Sequence, residues 1–392
     1  MKVSGPISQP LLSLSRRVVL RQLAGIPLAA LGPAARAEDP GVGEQDIALG
    51  QTVAMSGPLG EFGRDIVMGA KACLERINAA GGINGRKVSL LTLDDRYDVG
   101  VATQNISRLL RDDKVFALLS VMGTPISLEA VRQTQAEGVP LFAPWTGVQA
   151  TRRPTLRHVF NVRASYRDEI VKIITHLRTI GTRRIAIVYF EEAFGTELQT
   201  IRDEMARWPA QPVSGNAIRP DGTDVEQVAK LTAQANPEVV VLLTAGKVTV
   251  DFIKAYNALT KGTRYYTLSI MGTNASVQAL GPHGIGVVVS SVVPFPWSTG
   301  VPVVRDYQDA MRRIGAQEFS HISLESYINT RVLAEALRRA GRNLTRARLI
   351  GAAETMRPLQ LGGFDVSYGP EDHSGSQFVD LNIISQTGRF MK

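Results

Sequence analysis

Hydrophobic residues fall into two kinds of run along this chain. Short runs free of charged residues, from Ile47 to Ala54, Val88 to Leu93, Val115 to Val121, Val139 to Ala143, Ile185 to Phe190, Val239 to Leu243 and Val287 to Val293, predict strands buried on both faces. Between them lie segments with apolar residues at helical spacing. The first is a long amphipathic stretch that ends at Gly81-Gly82 and is followed by a tight Asn84-Gly85 turn. Others cover Ser127 to Glu137, Ile170 to Ile180 and Val225 to Ala235. Fully apolar strands spaced by helices predict an α/β fold with parallel sheets covered on both faces. No short-period repeat or low-complexity segment interrupts the pattern.

The start of the chain reads differently. Residues 1–37 carry five basic residues, Lys2, Arg16, Arg17, Arg21 and Arg36, and no acidic one. An apolar run around Val18 to Leu31 and the small-x-small triplet Ala35-Arg36-Ala37 complete the pattern of a cleavable signal peptide, so the mature protein is expected in the periplasm. Ser15-Arg16-Arg17-Val18-Val19-Leu20 adds a twin-arginine signature, and export by the general or by the twin-arginine route both stay open. Arg21, Gln22 and Pro27 interrupt the run, which falls short of the ~20 apolar residues that span a bilayer. Without this leader 355 residues remain, with 39 basic against 36 acidic. The pI of 9.7 therefore owes much to the leader. A chain of this length exceeds one ordinary core, and two domains are expected.

Composition excludes several classes. There is no run of five basic residues and no basic stripe interleaved with aromatics, so nucleic acid is not expected as a partner. The single cysteine, Cys73, is expected to be a small buried apolar residue. The five histidines stand apart, and His373 with Asp372 reads as a solvated loop pair. No nucleophile, phosphate-loop or metal-ligand motif is found, so neither enzyme activity nor a metal or cofactor is expected. Gly57, Gly60 and Gly63 followed by Asp94-Asp95 suggest a dinucleotide site only superficially, because the spacing is not G-x-G-x-x-G. A nucleotide-dependent oxidoreductase is the least favoured reading.

Candidate chemistry lies at strand ends. Open parallel sheets place helix N-termini at the carboxyl ends of their strands, where free N–H groups hold small anions. Gly123-Thr124-Pro125, after the run Val115 to Val121, is such a place, with Thr124 as N-cap and Pro125 as first helical residue. Plain capping explains the same residues. Trp145, beside the next strand end, is a candidate cleft wall and equally a core aromatic.

The segments SGPLGEFG, ERINAAGGINGRKV, LLTLDD, SVMGTPISLEAV, AEGVPLFAPWTG, HVFNVRASYRDE, RRIAIVYFEEAFGTEL, LTAQANPEVVVLL and LGGFDVSYGPEDHSGSQFV closely resemble the type I periplasmic binding proteins of branched-chain amino acid transporters, the leucine-binding protein-like class. The resemblance covers nearly all of Ile47 to Phe390. It implies two doubly wound parallel-sheet lobes joined by a three-segment hinge, with ligand in the cleft and closure by hinge bending. Crossings are expected near Asn161 to Ala164, Val293 to Trp297 and Met356 to Leu361. Lobe 1 would then be residues 46–162 plus 296–357, and lobe 2 residues 163–295 plus 358–392. By the same resemblance Thr124 falls on a ligand-binding serine or threonine, Thr146 in the second ligand-contacting loop, and Phe62 and Phe194 on aromatic positions of the first and second lobes.

Departures from the family pattern bear on the ligand. Gly246 stands where the resemblance leads one to expect a tyrosine, and the acid that would hold an amino acid's ammonium is replaced near Ser269-Ile270. Arg96 occupies one position of the family disulfide. Glu191 or Glu192 is left as an ammonium partner, and a larger carboxylate, including an aromatic one, becomes at least as expected as an α-amino acid. The reading is a monomeric substrate-binding component of an ABC-type importer, taking a small carboxylate-bearing solute (amino acid, amide or aromatic acid) and partnered by a membrane permease. The alternative is a ligand-sensing receptor of the same fold, disfavoured because no effector domain follows Phe390.

Overall fold

The computed structural model describes residues 39–57, 59–194, 197–206 and 211–392, and of Glu192, Ala193 and Gln211 the backbone alone. The expected signal peptide, residues 1–37, lies outside them.

Two sheets organise the described chain. The first holds β1 (Asp46–Val53), β2 (Lys87–Asp94), β3 (Ala117–Leu119), β4 (Leu141–Phe142) and β5 (Val159–Phe160), all parallel, in the order β2-β1-β3-β4-β5. Helices α1 (Gly60–Ala79), α2 (Val99–Arg111) and α3 (Thr124–Glu137) follow its first three strands. The second sheet holds β6 (Arg184–Tyr189), β7 (Gln211–Ala217), β8 (Val239–Leu243), β9 (Arg264–Thr267) and β10 (Val288–Ser291), parallel in the order β7-β6-β8-β9-β10. Its helices are α4 (Tyr166–Thr179), which precedes β6, α5 (Glu191–Phe194), α6 (Glu197–Met205), α7 (Val225–Gln234), α8 (Gly246–Leu259) and α9 (Asn274–Leu280). Both sheets thus reverse strand order once, between β1 and β3 and between β6 and β8. In open α/β sheets, ligands sit at the carboxyl ends of strands flanking such a reversal.

The chain passes from the first sheet to the second between Phe160 and Tyr166, and returns between Ser291 and α10 (Pro302–Arg313). It then adds α11 (His321–Ala340) and α12 (Arg346–Glu354) to the first lobe, where α11 lies along α1. The third passage corrects the expectation. Met356, Leu359, Leu361, Phe364, Val366 and Tyr368 are buried in the first core with Phe142, Phe160 and Leu333. Here β11 (Leu359–Gln360), β12 (Asp365–Gly369) and β13 (Asp372–Gly375) form a small antiparallel sheet beside β5. Apolar side chains on alternate positions of this stretch need a core to bury them, and the nearest is the first lobe's. Only β14 (Asp380–Ile384) and β15 (Phe390–Met391) join the second sheet, antiparallel at its edge. The third crossing is therefore between Gly375 and Asp380 rather than near Met356 to Leu361.

Two further expectations are resolved by burial. Cys73 is buried and unpaired, and loss of water pushes its thiol up to about 12. His373 is no solvated loop residue: its ring stacks on Phe160 at 4.0 Å and its Nδ1 lies 3.0 Å from the Val159 carbonyl.

Candidate functional site

The two strand-order reversals meet across one cavity of about 440 Å³. The first lobe contributes Leu59, Phe62, Tyr97, Met122, Gly123, Thr124, Pro125, Leu128 and Trp145, and the second Tyr166, Phe190, Phe194, Pro220, Ala245 and Ile270. Among the described residues no charged side chain lines it.

One end is rich in donors. Gly123 caps α3 with φ of 92°, a backbone state suited to glycine, so Thr124 is released from the capping role the sequence suggested. Thr124 Oγ1 instead lies 2.7 Å from Thr146 Oγ1. The Val148 amide donates to Thr146 Oγ1 at 3.2 Å, and either hydroxyl can donate to the other, so the pair has one proton left for an acceptor in the cavity. The first turn of the 14-residue α3 adds unpaired amides and the positive end of the helix dipole. Trp145 Nε1 is buried without a hydrogen-bond partner among the described residues.

The rest of the cavity is apolar. Phe62 meets Trp145 edge-on at 5.6 Å, and Phe194 packs on Tyr166 at 4.8 Å. Phe62 reaches the cleft because α1 starts hard against the end of β1. A Cβ on Gly63 would lie 1.8 Å from the Ala54 carbonyl oxygen, so only glycine permits that approach. Asp94 and Asp95 shape the same rim: Asp94 accepts from the Met55 and Arg96 amides, each at 2.9 Å, and Asp95 from Thr52 and the Tyr97 amide at 2.8 and 2.9 Å. Their work is to hold loops, not a ribose.

Behind the donor end lies a buried ionic cluster. Arg163, in the first crossing, has its guanidinium 5.9 Å from the Trp145 ring centre and 5.8 Å from that of Tyr166. It pairs with Glu169 of α4 at 3.4 Å and approaches Glu325 of α11 at 3.7 Å, so one cation bridges carboxyls of both lobes. Glu169 also accepts from the Ser269 amide, the Ser269 hydroxyl and the Ser290 hydroxyl at 2.8, 3.0 and 2.5 Å. Glu325 has a buried oxygen with no hydrogen bond, and burial pushes its carboxyl up to about 7 against the pull of Arg163.

Of the residues the sequence singled out, Phe62, Gly123, Thr124, Trp145 and Phe194 line the cavity, and Thr146 stands one hydrogen bond behind Thr124. Gly246 and Ser269 do not line it. Gly246 starts α8 with φ of 56°, and a Cβ there would lie 3.1 Å from Leu59 Cδ2, so the room expected beside this glycine is filled by the opposite lobe. The Ser269 hydroxyl is bound to Glu169 and Arg163, and its neighbour Ile270 lines the wall instead. The side chain of Glu192 lies outside the described residues. Tyr97, Tyr166, Phe190 and Pro220 were not anticipated. One of them had a signal: Ser165-x-x-Asp168 forms a capping box, which marks Tyr166 as the first residue of a helix at the rim.

Comparison with known proteins agrees with this two-lobed cleft. Leu/Ile/Val-binding protein homolog 8 of Brucella abortus is 22% identical over 368 residues, covering 87% of this chain and 90% of its own. The crystal structure of a possible leucine/isoleucine/valine-binding protein from Rhodopirellula baltica superposes with a TM-score of 0.81 at 26% identity, over 89% of this chain and 96% of that one. A fatty acid ABC transporter substrate-binding protein from Thermomonospora curvata shares the fold at 16% identity, with a TM-score of 0.80 over 89% and 91% of the two chains. Residues 46–382, which carry the parallel strands of both sheets and every described wall of the cavity, match the periplasmic binding protein family. The cleft is built at paired strand-order reversals of two lobes, and the chain belongs to the periplasmic binding protein family.

Proposed function

We propose that this protein is the periplasmic substrate-binding component of an ABC-type importer and that it captures a small monocarboxylate with an aromatic or extended apolar body. The observation that carries the ligand class is the wall chemistry. Donors gather at Thr124, Thr146 and the start of α3, no described carboxylate faces the cavity, and the remaining surface is apolar and aromatic. An anionic head gains hydrogen bonds and a favourable helix end there. An α-ammonium would lose its water with no described carboxylate to replace it. The cavity of about 440 Å³ also holds a body larger than a leucine side chain. Phe62, Trp145 and Phe194 would flank that body, and residues 1–37 would direct export.

The test is calorimetry on refolded, ligand-stripped mature protein with benzoate, phenylacetate, hexanoate, leucine, isoleucine and valine. The expected result is that at least one of the three acids binds more tightly than every amino acid, and that Thr124→Ala weakens it about ten- to a hundredfold. Tighter binding of leucine, isoleucine or valine than of all three acids overturns the ligand class and returns the ammonium to Glu191 or Glu192.

A further inference from the structure

Two glycines frame the donor end, and a tyrosine ring presses on each. A Cβ on Gly123 would lie 2.5 Å from Tyr97 Cε2 and 3.0 Å from its Oη, and a Cβ on Gly147 would lie 2.4 Å from Tyr166 Cδ1. Both tyrosines line the cavity, and neither phenol has a hydrogen-bond partner among the described residues. They come from different parts of the fold: Tyr97 follows β2 in the first lobe, and Tyr166 opens α4 in the second.

The backbone at Tyr97 is held against its own preference. Arg96 and Tyr97 have φ of 54° and 62°, left-handed values that disfavour residues with a Cβ. The Asp94 and Asp95 carboxylates fix the pair by accepting their amides, each at 2.9 Å. Strain of this kind persists where the surroundings over-determine it, and it clusters at ligand sites. Its result is a phenol set beside the Gly123-Thr124 turn. A phenol keeps its proton at neutral pH, so the Tyr97 hydroxyl, though its residue is 40% exposed, has a proton to donate.

We infer that Tyr97 and Tyr166 are specificity-determining residues that clasp the ligand's carboxylate from the two lobes, completing the Thr124–Thr146 donor set. The inference rests on the carboxylate reading above. It adds that the head group is gripped from both sides of the cleft, so that the anion itself draws the lobes together. A neutral amide of the same shape has only one weaker acceptor to offer and gains less from the pair.

The experiment titrates wild type, Tyr97→Phe and Tyr166→Phe with the tightest binder among benzoate, phenylacetate and hexanoate, and with its amide. Each variant keeps the ring that packs on its glycine, and an unchanged near-ultraviolet circular dichroism spectrum verifies the fold. Each is expected to weaken the acid about ten- to a hundredfold and the amide only about two- to fivefold, so that acid-over-amide preference collapses. Equal losses for acid and amide, or no loss for either, overturn the two-tyrosine clasp while leaving the carboxylate reading intact. Wild-type protein that binds none of the three acids overturns both.

Discussion

Replacing Glu325 with glutamine should stabilise this protein above neutral pH. The carboxyl is fully buried, lies 3.7 Å from Arg163 and makes no hydrogen bond through Oε1, while Glu169 holds the better-satisfied place beside the same arginine. Arg163 and Arg152 attract its charge and Glu169 repels it, but burial is the largest influence and the carboxyl titrates near 7. Its unfolded value is near 4.5, so the folded protein holds this proton more tightly than the unfolded chain does. Ionisation then works against the fold. The penalty sets in above 4.5, grows as pH rises and is complete above 7, at about 3 kcal/mol. Glutamine mimics the protonated form and avoids it. Urea denaturation of wild type and Glu325→Gln should show the variant more stable by about 3 kcal/mol at pH 8 and by about 1 kcal/mol at pH 5. The competing view holds that removing one partner of a buried pair costs about 3–5 kcal/mol. A variant less stable than wild type at pH 8, or a gain independent of pH, would refute the argument and show that attraction to Arg163 outweighs burial.

Two other perturbations test the geometry of the cleft. Gly246→Tyr, which restores the aromatic expected from the family, should lower stability by about 1–3 kcal/mol in urea titration, because φ is 56° and Leu59 stands 3.1 Å from the new Cβ; an unchanged midpoint would contradict the packing described. Glu61→Ala removes the 3.0 Å hydrogen bond that the Ala275 amide of α9 donates to Glu61 Oε1 of α1 across the lobes. Loss of about 1 kcal/mol of closed-state stabilisation should speed ligand release about fivefold in stopped-flow fluorescence, and equal rates would show that this contact does not hold the lobes together.

The chain's hydrophobic pattern was enough to define the class of fold. Runs such as Ile185 to Phe190 and Val239 to Leu243 are short, apolar at every position and rich in β-branched residues, which suits a strand covered on both faces. The same logic located the strand ends, and with them Gly123, Thr124 and Trp145, because helix starts and strand ends are local events. What the pattern could not determine depends on contacts far apart in sequence. Whether Leu359 to Tyr368 serves the first core or the second is decided by which lobe presents matching apolar surface, so the third crossing was misplaced. Gly246 suggested space, yet Leu59, 187 positions away, fills it. Ser269 suggested a ligand contact, yet its hydroxyl is taken by Arg163 and by Glu169, buried 106 and 100 residues earlier in the chain. Tyr97 came to the cleft through two left-handed residues and two aspartates that fix them, a choice of backbone that local propensity opposes and only the assembled structure enforces.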